Sequence, residues 1–209
     1  MLARPPASVP LLALAAFVGL LLLVTAEWAP LERVDLDVSE AARRYGLQHP
    51  DHIAALRIVT DIADVVPYLT VGGVATLLFL ARRLRRPALF CALVTVVVPL
   101  AWSLQHWLVH RPRPVDGFVT VPSSGFPSGH TSNASAASVA AVLLVWPLLA
   151  RVGRVLVVLA AVLVTVVIAG TRVALLAHWP TDVLGGVLLA VGVVTAIARI
   201  VHRWAPAST

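Results

Sequence analysis

The chain has 209 residues, of which 59% are hydrophobic and only 12% charged, whereas a soluble domain carries about twice that share of charge. That composition excludes an ordinary soluble enzyme. The net charge of +6 does not mark a nucleic-acid binder either, because the arginines lie in short segments between long apolar runs. The single cysteine, Cys91, sits inside one of those runs, so there is neither an intrachain disulfide nor a Cys/His metal pattern to consider.

A bilayer core of about 30 Å takes roughly 20 apolar residues in a helix. On that measure six spans are predicted. The first covers Ser8 to Ala26; no small-residue cleavage site precedes Glu27, so it reads as a retained helix rather than a signal peptide. Next comes the one long loop, Glu27 to Arg57, with five carboxylates between Glu27 and Glu40. It reads as a solvated connector in which Val38 to Leu47 can form a short surface helix. The second span runs from Ile58 to Ala81, with Asp61 and Asp64 near its start, and the third from Pro87 to Leu108. The fourth runs from His130 to Ala150, the fifth from Val155 to Thr171 and the sixth from Val183 to Val201. The expected organisation is a first transmembrane helix and outer loop over 1–55, followed by a helical core over 56–209.

Charge sets the orientation. With the N-terminus in the cytoplasm, the inner segments hold Arg4, Arg82, Arg83, Arg85, Arg86, Arg151, Arg154, Arg199 and Arg203, with no acid among them. Trp28, Trp107 and Trp179 then fall at the outer interface, where amphipathic rings belong.

Three segments dense in polar groups emerge on that outer side: His106 to Pro114, Phe126 to His130, and Thr171-Arg172 with His178 to Asp182. Ser128 and Gly129 precede a helical run, so backbone N–H groups and the helix dipole there favour an anion. Arg113 and Arg172 can each grip phosphate oxygens in a planar fork. Asp182, four residues after His178, can hold one imidazole nitrogen and leave the other nucleophilic. His130, from a different helix, can protonate a leaving oxygen. Taken singly, Pro-Ser-Gly-His is an ordinary helix start, the His–Asp pair a cap, and Arg111 and Arg113 surface anchors. Those separate readings do not explain why all the blocks share one membrane face.

The blocks Pro127-Ser128-Gly129-His130 and Thr171-Arg172-x5-His178-x3-Asp182 closely resemble the type 2 phosphatidic acid phosphatase (PAP2, or lipid phosphate phosphatase) family. The likeness extends from Leu56 onward. Thr171 stands where the family has Ser and keeps the hydroxyl. In the family's first block, Lys-x6-Arg-Pro, Arg113-Pro114 supplies the Arg-Pro and His106 takes the lysine's place. A second register through Arg111-Pro112 would put Leu104 there.

The resemblance implies an all-α, PAP2-like bundle of six transmembrane helices in the bacterial inner membrane, multi-pass, with the site on the extracytoplasmic face. It implies hydrolysis of a lipid phosphomonoester or diphosphate through a phosphohistidine. His178 would be nucleophile, His130 acid and then base, and Asp182 the orienting carboxylate. His106, Arg113, Ser128, Gly129 and Arg172 would bind phosphate. Neither a metal nor another cofactor is expected, and the expected partners are the lipid phosphate substrate and membrane lipids. Two alternatives stand beside this reading: a lipid phosphotransferase on the same scaffold, and a non-catalytic lipid carrier or transporter.

Overall fold

A computed structural model describes residues 2–121 and 123–204. Among these there is no strand; eight α-helices follow one another as α1 (Ser8–Thr25), α2 (Ala29–Gln48), α3 (Pro50–Asp61), α4 (Val65–Ala81), α5 (Arg85–Leu108), α6 (Gly129–Val145), α7 (Arg151–Ala174) and α8 (Pro180–Trp204). Six helical stretches, with α3 and α4 counted as one, are long and apolar enough to cross a membrane. Leu77 and Leu80 on α4, and Leu156, Leu159 and Leu163 on α7, point outward and are exposed. An apolar surface of that extent needs a lipid solvent, and the protein is a multi-pass, all-α membrane protein.

The region between the first two spans differs from the expected solvated connector. Residues 29–61 are almost wholly helical, as α2 and α3. Pro30 and Pro50 occupy first-turn positions, where the missing N–H costs nothing. The buried residues of α2 are Asp35, Ser39 and Gly46, which repeat at helical spacing and so share one face. A side chain at Gly46 would collide with the Phe118 ring. The second span accordingly begins earlier than Ile58 and is broken at 62–64, where Asp64 caps α4 by accepting from Val65 N at 2.5 Å.

α8 is the centre of the bundle. Its Ala190, Val194, Ala198 and Val201 pack with Phe90, Val94 and Val98 of α5, while Leu189 joins Phe17, Leu20 and Val24 of α1. Between α6 and α8 the packing uses small residues. Thr131, Ser132, Asn133, Ala134, Ser135 and Ala136 are all buried. A Cβ at Gly186 would lie 2.8 Å from the Ser128 carbonyl oxygen. Only glycine there lets α8 lie directly against the start of α6.

Candidate active site

Helix directions alternate, so the ends of α5 and α7 and the starts of α6 and α8 meet at one end of the bundle. The link from α7 to α8 carries His178. Leu176 adopts a left-handed φ of 52°, which costs about 1 kcal/mol for a branched residue. The turn is held because Ala177 N and His178 N both donate to the Arg172 carbonyl, at 3.0 and 3.2 Å. His178 and the arginine six positions before it are thus tied through backbone alone.

His178 is 2% exposed and Asp182 is fully buried. Asp182 Oδ2 lies 3.4 Å from His178 Nδ1 and accepts from Trp179 N at 3.0 Å. Burial pushes the His178 imidazole down to about 4, with Asp182 pulling the other way and Arg113 and Arg172 adding to the depression. The ring is therefore neutral near pH 7. With Nδ1–H toward Asp182, its Nε2 lone pair accepts from Arg113 Nη1 at 2.9 Å. That is the tautomer a nitrogen nucleophile needs.

Arg113 donates to the carbonyls of Ser123 (2.7 Å), Ser124 (2.9 Å) and Ala177 and to the Ser123 hydroxyl (3.0 Å). Burial lowers its pKa, with the Asp182 charge opposing. Arg172 is 4% exposed; its Nη1 donates to Thr60 Oγ1 at 3.1 Å, and its Nε is buried with no partner. A buried, unsatisfied guanidinium donor is costly unless a ligand completes it.

His106, Arg113, Gly129, His130, Arg172 and His178 line one cavity of about 360 Å³. Ser128 and Asp182 stand behind it. Ser128 caps α6: its hydroxyl is 3.1 Å from Thr131 Oγ1, and its N–H donates to the Asp182 carbonyl at 2.9 Å. With that N–H occupied, the amides of Gly129 and His130, which have no intrahelical partner by geometry, face the cavity end of the helix. His106 Nε2 lies 2.6 Å from the Pro127 carbonyl, to which it donates, so its ring props up the loop before Ser128 while lining the cavity. Of the two arginines in the first block, Arg113 lines this cavity and Arg111 does not.

Several residues with no local sequence signal take part. Thr60 meets both Arg172 and the Thr171 hydroxyl (3.1 Å each). Asn133 reaches from α6 to the Ala63 carbonyl at the α3–α4 break (3.2 Å). Arg57, Asp61 and Asp64 also line the cavity. The sequence shows the carboxylates of Asp61 and Asp64 near the start of the second span, but nothing in it assigns them to this cavity. Arg111, which the sequence offered as a second register for the first block or, taken singly, as a surface anchor, is mostly buried between two carboxylates: Asp35 (2.6 Å) and Asp182 (2.5 Å). A second cavity, of about 330 Å³, lies beyond Arg111 between α1, α2 and the 108–112 segment and includes neither His130 nor His178.

A family profile described as the PAP2 superfamily matches residues 88–206, more than half of the chain. The chain belongs to the PAP2 superfamily. Among solved structures, the fold is similar to a transmembrane PAP2 type phosphatidylglycerolphosphate phosphatase from Bacillus subtilis. The TM-score is 0.76 and the identity 23%, over 96% of this chain and 99% of that one. A search of curated proteins returned no match.

Proposed function

We propose that the protein is a lipid phosphate phosphatase that works through a phosphohistidine on His178. The observation that carries this is the cavity in which a neutral His178 presents Nε2 to Arg113, with Arg172 and its unsatisfied buried Nε lining the same space. A phosphoryl group seated there would displace Arg113 from Nε2 and meet both guanidinium groups. Charge on the transferring phosphoryl is what such donors stabilise.

In the first transfer Nε2 attacks phosphorus, the bond to the lipid oxygen breaks, and that oxygen takes a proton from His130. In the second, water attacks the phosphohistidine, gives a proton to His130 and releases inorganic phosphate, restoring His178. A lipid substrate is supported by the cavity wall. Val65, Trp102, Val119 and Val121 contribute to it, and Ile58 and Ile62 beside it are exposed. The substrate class is a phosphomonoester or diphosphate such as phosphatidate, phosphatidylglycerol phosphate or a polyprenyl (di)phosphate. Arg57, Arg113 and Arg172 in the cavity disfavour a resident divalent cation, so the reaction is read as metal-independent.

The test is phosphate release by purified protein from a panel of these lipids, with and without excess chelator. Release that persists in chelator is expected. A strict magnesium requirement would overturn metal independence, and no release from any lipid phosphate would return the carrier reading. An acceptor-dependent phosphorylated product would instead mark a phosphotransferase. The inner membrane and its extracytoplasmic face are part of the same proposal. Arg82, Arg83, Arg85, Arg86, Arg151 and Arg154 lie at the bundle end opposite the site, as the positive-inside bias demands. Val115 and Val152 are both exposed, at opposite ends. In a Cys91→Ser background, an impermeant thiol reagent on intact cells should label Val115→Cys and miss Val152→Cys; the reverse pattern would invert the topology.

A further inference from the structure

Asp35 lies on α2, outside the span matched by the family profile. It is 1% exposed, yet it is fully engaged: its carboxylate accepts from Arg111 Nη2 (2.6 Å), Thr181 Oγ1 (2.6 Å) and Thr181 N (3.0 Å). Arg111 Nη1 in turn donates to Thr181 Oγ1 (2.7 Å) and to Asp182 Oδ1 (2.5 Å). The opposite oxygen of Asp182 faces His178 Nδ1. An unbroken chain of buried polar contacts therefore runs from α2 through Arg111 to the His178 ring.

We infer that Asp35 is a positioning residue for the reaction, holding Arg111 and offsetting its charge so that Asp182 keeps a full negative charge for His178. This rests on the reading of His178 as nucleophile. Asp182 with Arg111 alone is a neutral pair, and a neutral pair does little for the positive charge that develops on His178 as Nε2 bonds to phosphorus. With Asp35 added the cluster is net negative, and in a buried setting that difference acts over the short path to Nδ1. The geometry also fixes Asp182. Arg111 meets both carboxylates, and Thr181, which Asp35 grips through both backbone and hydroxyl, is the residue immediately before Asp182.

The consequence is that the N-terminal segment belongs to the catalytic apparatus without touching substrate. The expected result is that Asp35→Asn lowers kcat roughly 10- to 100-fold, the range for second partners of functional histidines. KM should stay within about twofold, since phosphate is gripped by Arg113 and Arg172 and not by this cluster. Adding Arg111→Gln should recover at least about fivefold in kcat over Asp35→Asn, because the cluster beside His178 is then net negative again. A merely structural tie between α2 and α8 predicts the opposite, since the double variant loses more contacts. The inference is overturned if Asp35→Asn keeps kcat within about twofold of the parent, if the loss falls on KM, or if the double variant is no better than the single one.

Should Asp35→Asn not yield monodisperse protein in detergent, the double variant, which restores the parent's net charge beside His178, decides alone. Retention of kcat within about tenfold of the parent supports the offsetting role, and a fall as deep as that of Asp182→Asn overturns it. His178→Ala measured alongside separates the two claims. Activity in that variant overturns the phosphohistidine reading itself, whereas an inactive His178→Ala with a fully active Asp35→Asn overturns only the role of Asp35.

Discussion

The site is built from two regions of different character. The segment matched by the family profile, 88–206, supplies every group proposed to meet phosphate: Arg113, Gly129, His130, Arg172 and His178. The helices α2 and α3 supply groups that meet those groups: Asp35 behind Asp182 by way of Arg111, and Thr60 beneath Arg172 and Thr171. On the proposed reading the first region puts charge where chemistry develops it, and the second keeps those charges aimed. A buried guanidinium or carboxylate without a partner is costly, so the reacting residues cannot keep their geometry in a membrane bundle unless something outside their own motifs satisfies them.

Substitutions can break this division or sharpen it. The largest effect is expected from the reacting region: His178→Ala and His130→Ala should each abolish phosphate release, and full turnover by either removes the assignment of roles. Asp182→Asn should come next, lowering kcat by a factor on the order of 10⁴ if it mirrors the loss of the orienting carboxylate in a Ser-His-Asp triad; Asn in its place can favour the wrong tautomer. The pH profile tests the same ring. His178 must be unprotonated to attack, and burial places its pKa at about 4, so attack is lost as pH falls through that value. The acid limb of kcat/KM should therefore lie nearer pH 4 than the ordinary imidazole value of about 6.5. A limb near the ordinary value would mean that the free enzyme does not bury the ring as described.

A smaller effect is expected from the supporting region. Thr60→Val removes the shared partner of Arg172 and Thr171 and leaves a second buried guanidinium donor unsatisfied. A loss of about 1.4 kcal/mol, or tenfold, in kcat/KM follows, and Thr60→Ser should restore it. If Thr60→Val were silent, the α3 contact would be packing alone. The smallest effect is expected at His106. Its ring nitrogen is already committed to the Pro127 carbonyl, and a glutamine amide can make the same bond. His106→Gln should then change KM by no more than about threefold. A larger loss that deepens at low pH, where the ring is charged, would instead put His106 on the phosphate in the place of the family's lysine.

The sequence alone determined the membrane spans and the motifs, because both are local. A bilayer demands long apolar runs, and the Pro127–His130 and Thr171–Asp182 blocks each sit within one turn or one helix end, where spacing along the chain translates directly into spacing in space. Even there it was silent about a break at 62–64, and of α2 it gave only Val38 to Leu47, as a surface helix, since a polar helix with a small buried face looks like a charged loop when its partner surface is unknown. What only the tertiary structure decided is which polar groups are buried and against what. Asp35 meets Arg111 across 76 positions and Thr60 meets Arg172 across 112. In a linear pattern Asp35 is one of five carboxylates in a solvated stretch and Arg111 one of several outer arginines. Neither carries a local mark of burial, because burial of a charge is a property of the surroundings that the fold assembles around it.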